Sequence, residues 1–264
     1  MAKPLISDEL WEIMEPLLPV KKRRFRHPGR KPIDNRKALS AILFVLRTGI
    51  PWEYLPQELG WGSGMTAWRR LEAWQKQGVW KNVHETLLAR LQGADKIDWS
   101  RVVVDSSSIR ALHGGKKTGR NPTDRGRKGS KHHIATDANG IPLAATLTGA
   151  NEHDVTQMIP LVDAIPAVRG KPGRPRRRPQ RVQGDRAYDS KRHRVMLQER
   201  GIAPVTARRN TEHGSGLGTT RWVVERTVSW LHQMRRLRLR AERRADIHEA
   251  FMALGCIVVT SYFL

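Results

Sequence analysis

The sequence predicts a mixed α/β domain preceded by an all-helical region, and three observations lead there. Apolar residues recur at helical spacing through the first 95 positions. From about residue 97, short β-branched runs end on turn-forming residues. The later order of strand, hairpin, helix, strand, helix, strand, helix suits a central sheet flanked by helices. With 264 residues, 39% of them hydrophobic, the chain can build one large core or two modest ones.

In the first region Ser7 can cap a helix whose first turn carries Asp8 and Glu9, with Leu10, Ile13, Met14, Leu17 and Leu18 on one face. A basic loop follows over 21–32. Asp34 can cap the next helix, where Leu39, Ile42, Leu43 and Leu46 recur until Gly49. Pro51 and Pro56 bracket a short element, and Gly60 with Gly62-Ser63-Gly64 forms a turn before a helix from about Met65 to Gln77. The last two elements form a candidate helix-turn-helix, with Met65, Trp68 and Leu71 toward the core. Thr66, Arg69 and Arg70 then lie where a recognition helix meets base edges. An ordinary αα-hairpin with solvated arginines has the same pattern.

In the second region Val102-Val103-Val104 reads as a buried strand ending at Asp105. Lys131–Thr136 and Ile141–Leu147 flank Asp137-Ala138-Asn139-Gly140 and should pair as a hairpin. A helix is expected over Val155–Ile165, then an irregular, mobile Pro/Arg loop over 169–181. Gln180–Gln183 leads to Asp185 at a second strand end. Further on, a helix over Ser190–Glu199, a strand over Ile202–Thr206, an amphipathic helix over Arg221–Arg236 and a final apolar helix from Ile247 are expected. The domain division read from this pattern is 1–95 and 96–264.

Charge narrows the function. Forty-eight Lys and Arg against 25 Asp and Glu leave +23, which favours a polyanionic partner, because cations that neutralise phosphates release condensed counterions. A membrane surface or packed RNA would answer the same charge. The single cysteine, Cys256, excludes an intrachain disulfide. The N-terminus does not read as a signal peptide, and the apolar stretch Ala250–Leu264 falls short of the roughly 20 residues that span a bilayer. A cytoplasmic, nucleoid-associated protein is expected.

Asp105 and Asp185 each end a short buried strand, where side chains converge in open α/β sheets. Glu225 lies near the apolar stripe Val224, Val228 and Leu231, where a carboxylate needs a partner. Three hard oxygen ligands suit Mg²⁺ or Mn²⁺ rather than zinc, and a pair of such ions can activate a hydroxyl and stabilise the leaving oxygen of a phosphodiester. Taken singly, an acid at such a position is usually a turn or cap residue. Among rivals, Asp137 belongs to its hairpin turn, Asp124 to a basic loop, and Asp154 and Asp189 can cap the helices that follow them.

Several segments together carry a resemblance. They include Gly29-Arg30-Lys31-Pro32, Arg47-Thr48-Gly49-Ile50-Pro51-Trp52, Trp68-Arg69-Arg70 and Val104-Asp105-Ser106-Ser107-Ser108-Ile109-Arg110-Ala111. Later come Asn121-Pro122-Thr123-Asp124-Arg125-Gly126, Gly149-Ala150-Asn151-Glu152-His153-Asp154, Gly184-Asp185-Arg186-Ala187-Tyr188-Asp189 and Arg221-Trp222-Val223-Val224-Glu225-Arg226-Thr227. Over nearly its whole length the chain resembles bacterial insertion-sequence transposases of the D-D-E group, in the IS-five-like branch. The resemblance implies an RNase H-like core in which Asp105, Asp185 and Glu225 bind two divalent ions. It also implies recognition of terminal inverted repeats, cleavage at the element ends, joining of 3′-hydroxyls to target DNA, and a homodimer or larger synaptic assembly. One departure stands out: the family signature around Arg221 and Glu225 has a tyrosine where this chain has Gly218 and a lysine where it has His232, a residue mostly neutral near pH 7.

Expected DNA contacts are Arg30 and Lys31, then Thr66, Arg69 and Arg70, then Arg110, then Arg174 and Arg176, and finally Arg221, His232, Arg235 and Arg236. The loops holding Arg30 and Arg174 look like the Gly-Arg-Pro cores of minor-groove hooks, and solvated loops touching phosphates read the same way. Trp222 and Trp230 read as core or partner packing rather than base-stacking platforms, and His132-His133 as structural. A metal-dependent nuclease that never joins strands, or a non-catalytic DNA-binding regulator, are the alternatives.

Overall fold

Side-chain caps set where the N-terminal helices begin in the computed structural model, which describes residues 4–20, 25–27, 29, 31–207 and 218–264. Ser7 Oγ accepts from the Leu10 amide at 3.2 Å and opens α1 (Asp8–Met14). Asp34 accepts from the Lys37 amide at 3.0 Å and opens α2 (Asn35–Thr48), which Gly49 ends in the left-handed region. Short 3₁₀ turns at Trp52–Tyr54 and Gln57–Leu59 lead into α3 (Gly64–Lys76), capped by Ser63. Next comes α4 (Val79–Gly93), which the spacing of apolar residues left undelineated.

The buried stripe of α3 is Gly64, Ala67, Leu71 and Trp74, whereas Met65, expected in the core, is 53% exposed. The cause is a close approach of backbones. A Cβ at Gly64 would lie 1.7 Å from the Trp52 carbonyl oxygen, so this face of the helix is pressed against the preceding turn.

The rest of the chain runs β1 (Val102–Ala111), β2 (Gly119–Arg120), β3 (Lys128–Thr136), β4 (Pro142–Gly149), α5 (Asp154–Asp163), β5 (Arg181–Gly184), α6 (Lys191–Gln198) and β6 (Ala203–Thr206). It continues through α7 (Gly218–His232), α8 (Arg235–Arg238), β7 (Leu239–Arg240) and α9 (Ala245–Ser261). The strands form one mixed sheet. β1 is antiparallel to β3 and parallel to β5 and β7; β3 also pairs antiparallel with β4 and β2, and β6 runs parallel to β5. The expected β3–β4 hairpin is present, its turn closed by Asp137 Oδ1 accepting from the Asn139 and Ile141 amides at 3.0 and 2.8 Å.

Three expectations need correction. β1 does not end at Asp105 but continues to Ala111, because β3 pairs with it through Arg110. The helix expected over 221–236 stops at His232, and Met234 is extended before α8 begins. The Pro/Arg segment is not wholly irregular: Val168 and Arg176 exchange backbone hydrogen bonds of 2.7 and 2.8 Å and close it into a hairpin.

Alternation along β1 sorts the two faces of the sheet. Val103 packs with Val223 and Val224 of α7, in a cluster that also holds α1 to α4 and α9. Val102 and Val104 pack with Met158 of α5 and Tyr188 in a second cluster. The first cluster runs continuously across position 95. No helix among the described residues is long and apolar enough to cross a membrane.

Two glycine substitutions separate packing from backbone strain at α3. Gly64→Ala must displace the Trp52 backbone and should cost about 1–3 kcal/mol. Gly60→Ala has open space around it and only its φ of +65° to strain it, so about 1 kcal/mol is expected. Chemical denaturation of both variants checks the order, which a milder Gly64→Ala would reverse.

Candidate active site

Strand register brings the two aspartates together. β1 and β5 run parallel with Val102 opposite Val182 and Val103 opposite Gln183. Continuing both chains by two residues sets Asp105 level with Asp185. Residues two apart share a face, so Asp105 lies on the side of Val103 and Asp185 on the side of Gln183. Helix α7 covers that side: Val103 clusters with Val223 and Val224, and the Gln183 amide donates to Thr220 Oγ1 at 2.9 Å. Further along, Thr227 donates to the Gly140 carbonyl at 2.6 Å and fixes the rotation of α7 over the sheet.

Glu225 therefore reaches the same neighbourhood from above. Arg221 Nη2 stands 3.9 Å from Asp105 Oδ1 and 3.5 Å from Glu225 Oε1, bridging the two carboxylates. Burial pushes the Asp105 carboxyl up to about 6, with the Asp185 and Glu225 charges pushing the same way. The Ser106 amide, 2.9 Å from Oδ1, and the Arg221 charge oppose the rise. Asp185 Oδ1 accepts from the Ala187 amide at 2.9 Å and opens the 3₁₀ turn Arg186–Tyr188.

Glu225, expected close to the buried stripe, has a side chain 56% exposed, and the buried face of α7 is Val223, Val224, Thr227 and Leu231. Among the described residues no three His, Cys, Asp or Glu side chains are already gathered closely enough to hold a metal ion. The donor chemistry nevertheless fits divalent cations. The Asp185 and Glu225 charges add to the burial that raises the proton affinity of Asp105, and a guanidinium already supplies the positive charge between Asp105 and Glu225.

Behind β1, Ser106 Oγ donates to Asp154 Oδ1 at 2.7 Å, and Lys131 Nζ pairs with Asp154 at 2.9 Å while donating to the Glu152 carbonyl at 2.7 Å. Asp154 is thus a brace for the strand that carries Asp105, and His153 holds the cap position expected for it. Asp189 likewise accepts from Arg194, leaving Ser190 as the cap of α6. Neither has a signal in apolar periodicity: Asp154 is held by contacts distant in sequence, and Asp189 by a polar pairing with Arg194 five residues on.

The expected DNA contacts are scattered over the surface. Arg30 lies outside the described residues, and Lys31 is exposed. Arg69 is exposed on α3, and the Thr66 hydroxyl is 3.0 Å from Ser63 Oγ at its start. Arg70 turns inward, bonded to Asn35 and stacked 5.4 Å over Trp74. Arg110 pairs with Asp124 through two bonds, of 2.5 and 2.8 Å. Arg174, Arg176 and Arg235 are exposed. Two sites need correction. Arg236, expected to track a DNA backbone, is 5% exposed and bonded to Glu242 at 2.8 Å, because α8 folds back against Ile50. His232, expected as a DNA contact, is partly buried: burial holds it below its ordinary value, and its ring stands edge-on to His132, which is itself 2.8 Å from His248. Trp222, expected to be packed, is 51% exposed one turn before Glu225, while Trp230 packs on Tyr262 and Phe263.

This architecture has known counterparts. Residues 6–84 match the family described as "Putative transposase of IS4/5 family" and residues 98–260 match "Transposase DDE domain". Over 173 residues the chain is 61% identical to the "Putative transposase for insertion sequence element IS402" of Burkholderia cepacia, covering 65% of this chain and 80% of that protein. It is 60% identical over 123 residues to the "Insertion element IS402 uncharacterized 16.2 kDa protein" of the same organism, covering 46% of this chain and 84% of the relative. In fold it is similar to piggyBac transposase in a synaptic complex with hairpin DNA, with a TM-score of 0.51 at 9% identity over 98% of this chain and 72% of that one. The mixed sheet flanked by helices is the RNase H-like arrangement expected, with a helical region before it. The chain belongs to the DDE-domain transposases, within the group of insertion-sequence enzymes that includes the IS402 protein.

Proposed function

We propose that this transposase binds the terminal inverted repeats of its own element, cleaves the element ends and joins the resulting 3′-hydroxyls to target DNA. The observation that carries the reading is the β1–β5 register, which supports convergence of Asp105 and Asp185 beneath the α7 helix that bears Glu225. Those three side chains would hold two Mg²⁺ ions, with Mn²⁺ able to replace them. Such ions, when bound, activate the attacking oxygen and stabilise the leaving one.

The chain's own residues prepare that site. Asp105 must be ionised to act as a ligand, and the Ser106 amide and Arg221 favour that form against the burial that opposes it. Glu225, exposed and held by Arg221, has room to change rotamer toward the aspartates. Arg221, with its Nε lacking a hydrogen-bond partner, has donor capacity for a phosphate oxygen. Arg30, Lys31, Thr66 and Arg69 would be the DNA contacts of residues 1–95, and Arg110 and Arg235 would add phosphate contacts. Because two element ends are processed together, the working form is a homodimer or larger assembly, acting at the nucleoid in the cytoplasm.

Cleavage of a labelled inverted-repeat duplex with Mg²⁺ tests the assignment. Asp105→Asn, Asp185→Asn and Glu225→Gln should each lower the rate by about 10³ or more, with end binding changed no more than about threefold. A variant that keeps cutting removes its residue from the site. Strand joining in the same reaction separates a transposase from a nuclease that only cuts.

Asp105 also makes stability depend on pH. Its folded-state carboxyl titrates near 6, above the ordinary 3.8, so the folded chain holds the extra proton between those values. Stability from this group is therefore full below about pH 4 and lost as pH rises through about 6. Asp105→Asn should make the metal-free protein more stable at pH 7 by on the order of 1–3 kcal/mol, with the difference vanishing near pH 4. Denaturation at both pH values measures it, and a variant no more stable at pH 7 would show that the carboxylate is not strained.

A further inference from the structure

The basic hairpin before β5 stands at the wrong end of the sheet to serve the catalytic carboxylates. β5 runs from Arg181 to Gly184 and delivers Asp185 at its C-terminal end, so the hairpin, closed by Val168 and Arg176, lies beyond the N-terminal end. Four residues of strand, roughly 13 Å, separate Arg181 from Asp185, and the hairpin extends further away. The parallel register places Arg101, just before β1, level with Arg181.

This end of the molecule carries an excess of positive charge that Asp95 and Asp163 offset only in part. Residues 169–181 contain seven Lys and Arg and no Asp or Glu. Among the described residues, Lys171 alone of the seven forms an ion pair, with Asp95. Arg177 spends its donors on the Ile165 and Asp163 carbonyls, and Arg178 donates to the Arg200 carbonyl at 3.1 Å, bonds that orient a guanidinium without cancelling its charge. Arg176 is stacked 5.6 Å over Trp99. The cleft between the hairpin and the end of α5, about 680 Å³, is lined by Arg174, Arg176, Arg178 and Arg200 and by one acid, Asp163, which Arg200 holds at 2.8 Å.

The hairpin is also built to stay in place. Gly170 sits so close to α4 that an added Cβ would be 2.0 Å from the Ala89 carbonyl oxygen. Pro179 is buried, and the Gln180 amide donates to the Trp99 carbonyl at 2.9 Å. A solvated charge run has no need of such anchoring. A surface that must present cations at fixed spacing to a phosphate backbone gains from it, because less order is lost on binding.

We infer that the 169–181 hairpin is a second DNA-binding surface, gripping the backbone of duplex that is not in the same protomer's catalytic site. The inference rests on the transposase reading for its choice of DNA as the polyanion. It gives Arg174 and Arg176 a partner distinct from the reacting phosphate. In an assembly, that duplex is the other element end or DNA flanking the one being cut.

The test uses the full chain with Arg169, Arg178 and Arg181 all changed to Gln. Binding to a non-specific duplex is followed by anisotropy across a salt series, and single-turnover cleavage of an inverted-repeat duplex is followed with saturating enzyme and Mg²⁺. The variant should bind duplex roughly tenfold more weakly, with a salt slope shallower by about 2–3, as three lost phosphate contacts require. Its cleavage rate at saturation should stay within twofold of the parent. An unchanged slope would overturn the inference, as would a saturated cleavage rate that falls with binding, which would put the hairpin in the reacting duplex's groove. Loss of binding to phosphatidylserine vesicles with no change in the DNA slope would overturn it in favour of a membrane. A parent that binds DNA but never cuts it would overturn the catalytic reading instead, and the slope comparison would still decide the hairpin.

Discussion

The parallel pairing of β1 with β5 is the constraint on which the site depends. Val102 opposite Val182 and Val103 opposite Gln183 set the level of everything beyond them, including Asp105 and Asp185. A slip of one residue would turn one of those acids to the opposite face of the sheet. The β3 ladder holds β1 from the other side, and the fully buried Val102, Val103 and Val104 resist any slip because both faces of the sheet are covered there. The proposed catalytic geometry is thus a consequence of core packing, with the acids carried along by it.

Electrostatics adds a second layer. A carboxyl driven up to about 6 by burial and by two neighbouring acids is poorly satisfied, and Arg221 relieves it only partly from 3.9 Å. Such a site is poised for added positive charge. The same helix that delivers Arg221 and Glu225 is tied down at Gln183–Thr220 and at Thr227–Gly140, so its position is set by polar contacts on either side of the acids.

Much of this was legible in the sequence wherever the signal was local. Ser7 and Asp34 cap the helices their positions foretold, and Asp137 closes the hairpin its turn sequence announced. What was not legible depended on distant contacts. β1 runs past Asp105 because β3 pairs with it there, a fact that no periodicity within residues 102–111 encodes. Asp154 braces Ser106 and Lys131 across 48 residues for the former, so a cap was the natural local reading. Met65 faces solvent because Gly64 packs on the Trp52 carbonyl, and Glu225 faces outward because Thr227, a polar residue, takes a place in the buried stripe. Arg236 looks like a free cation in sequence, and only the fold reveals its buried partner Glu242 and the ring of His132 against His232.

The central claim, that three carboxylates distant in the chain share divalent ions, is tested most directly by Mn²⁺ titration of the end-bound protein, followed by electron paramagnetic resonance. The account requires two tightly held ions in the unaltered chain and at least one fewer after loss of any of the three carboxylates. Equal Mn²⁺ occupancy in the unaltered chain and all three variants would place the ions elsewhere and contradict it.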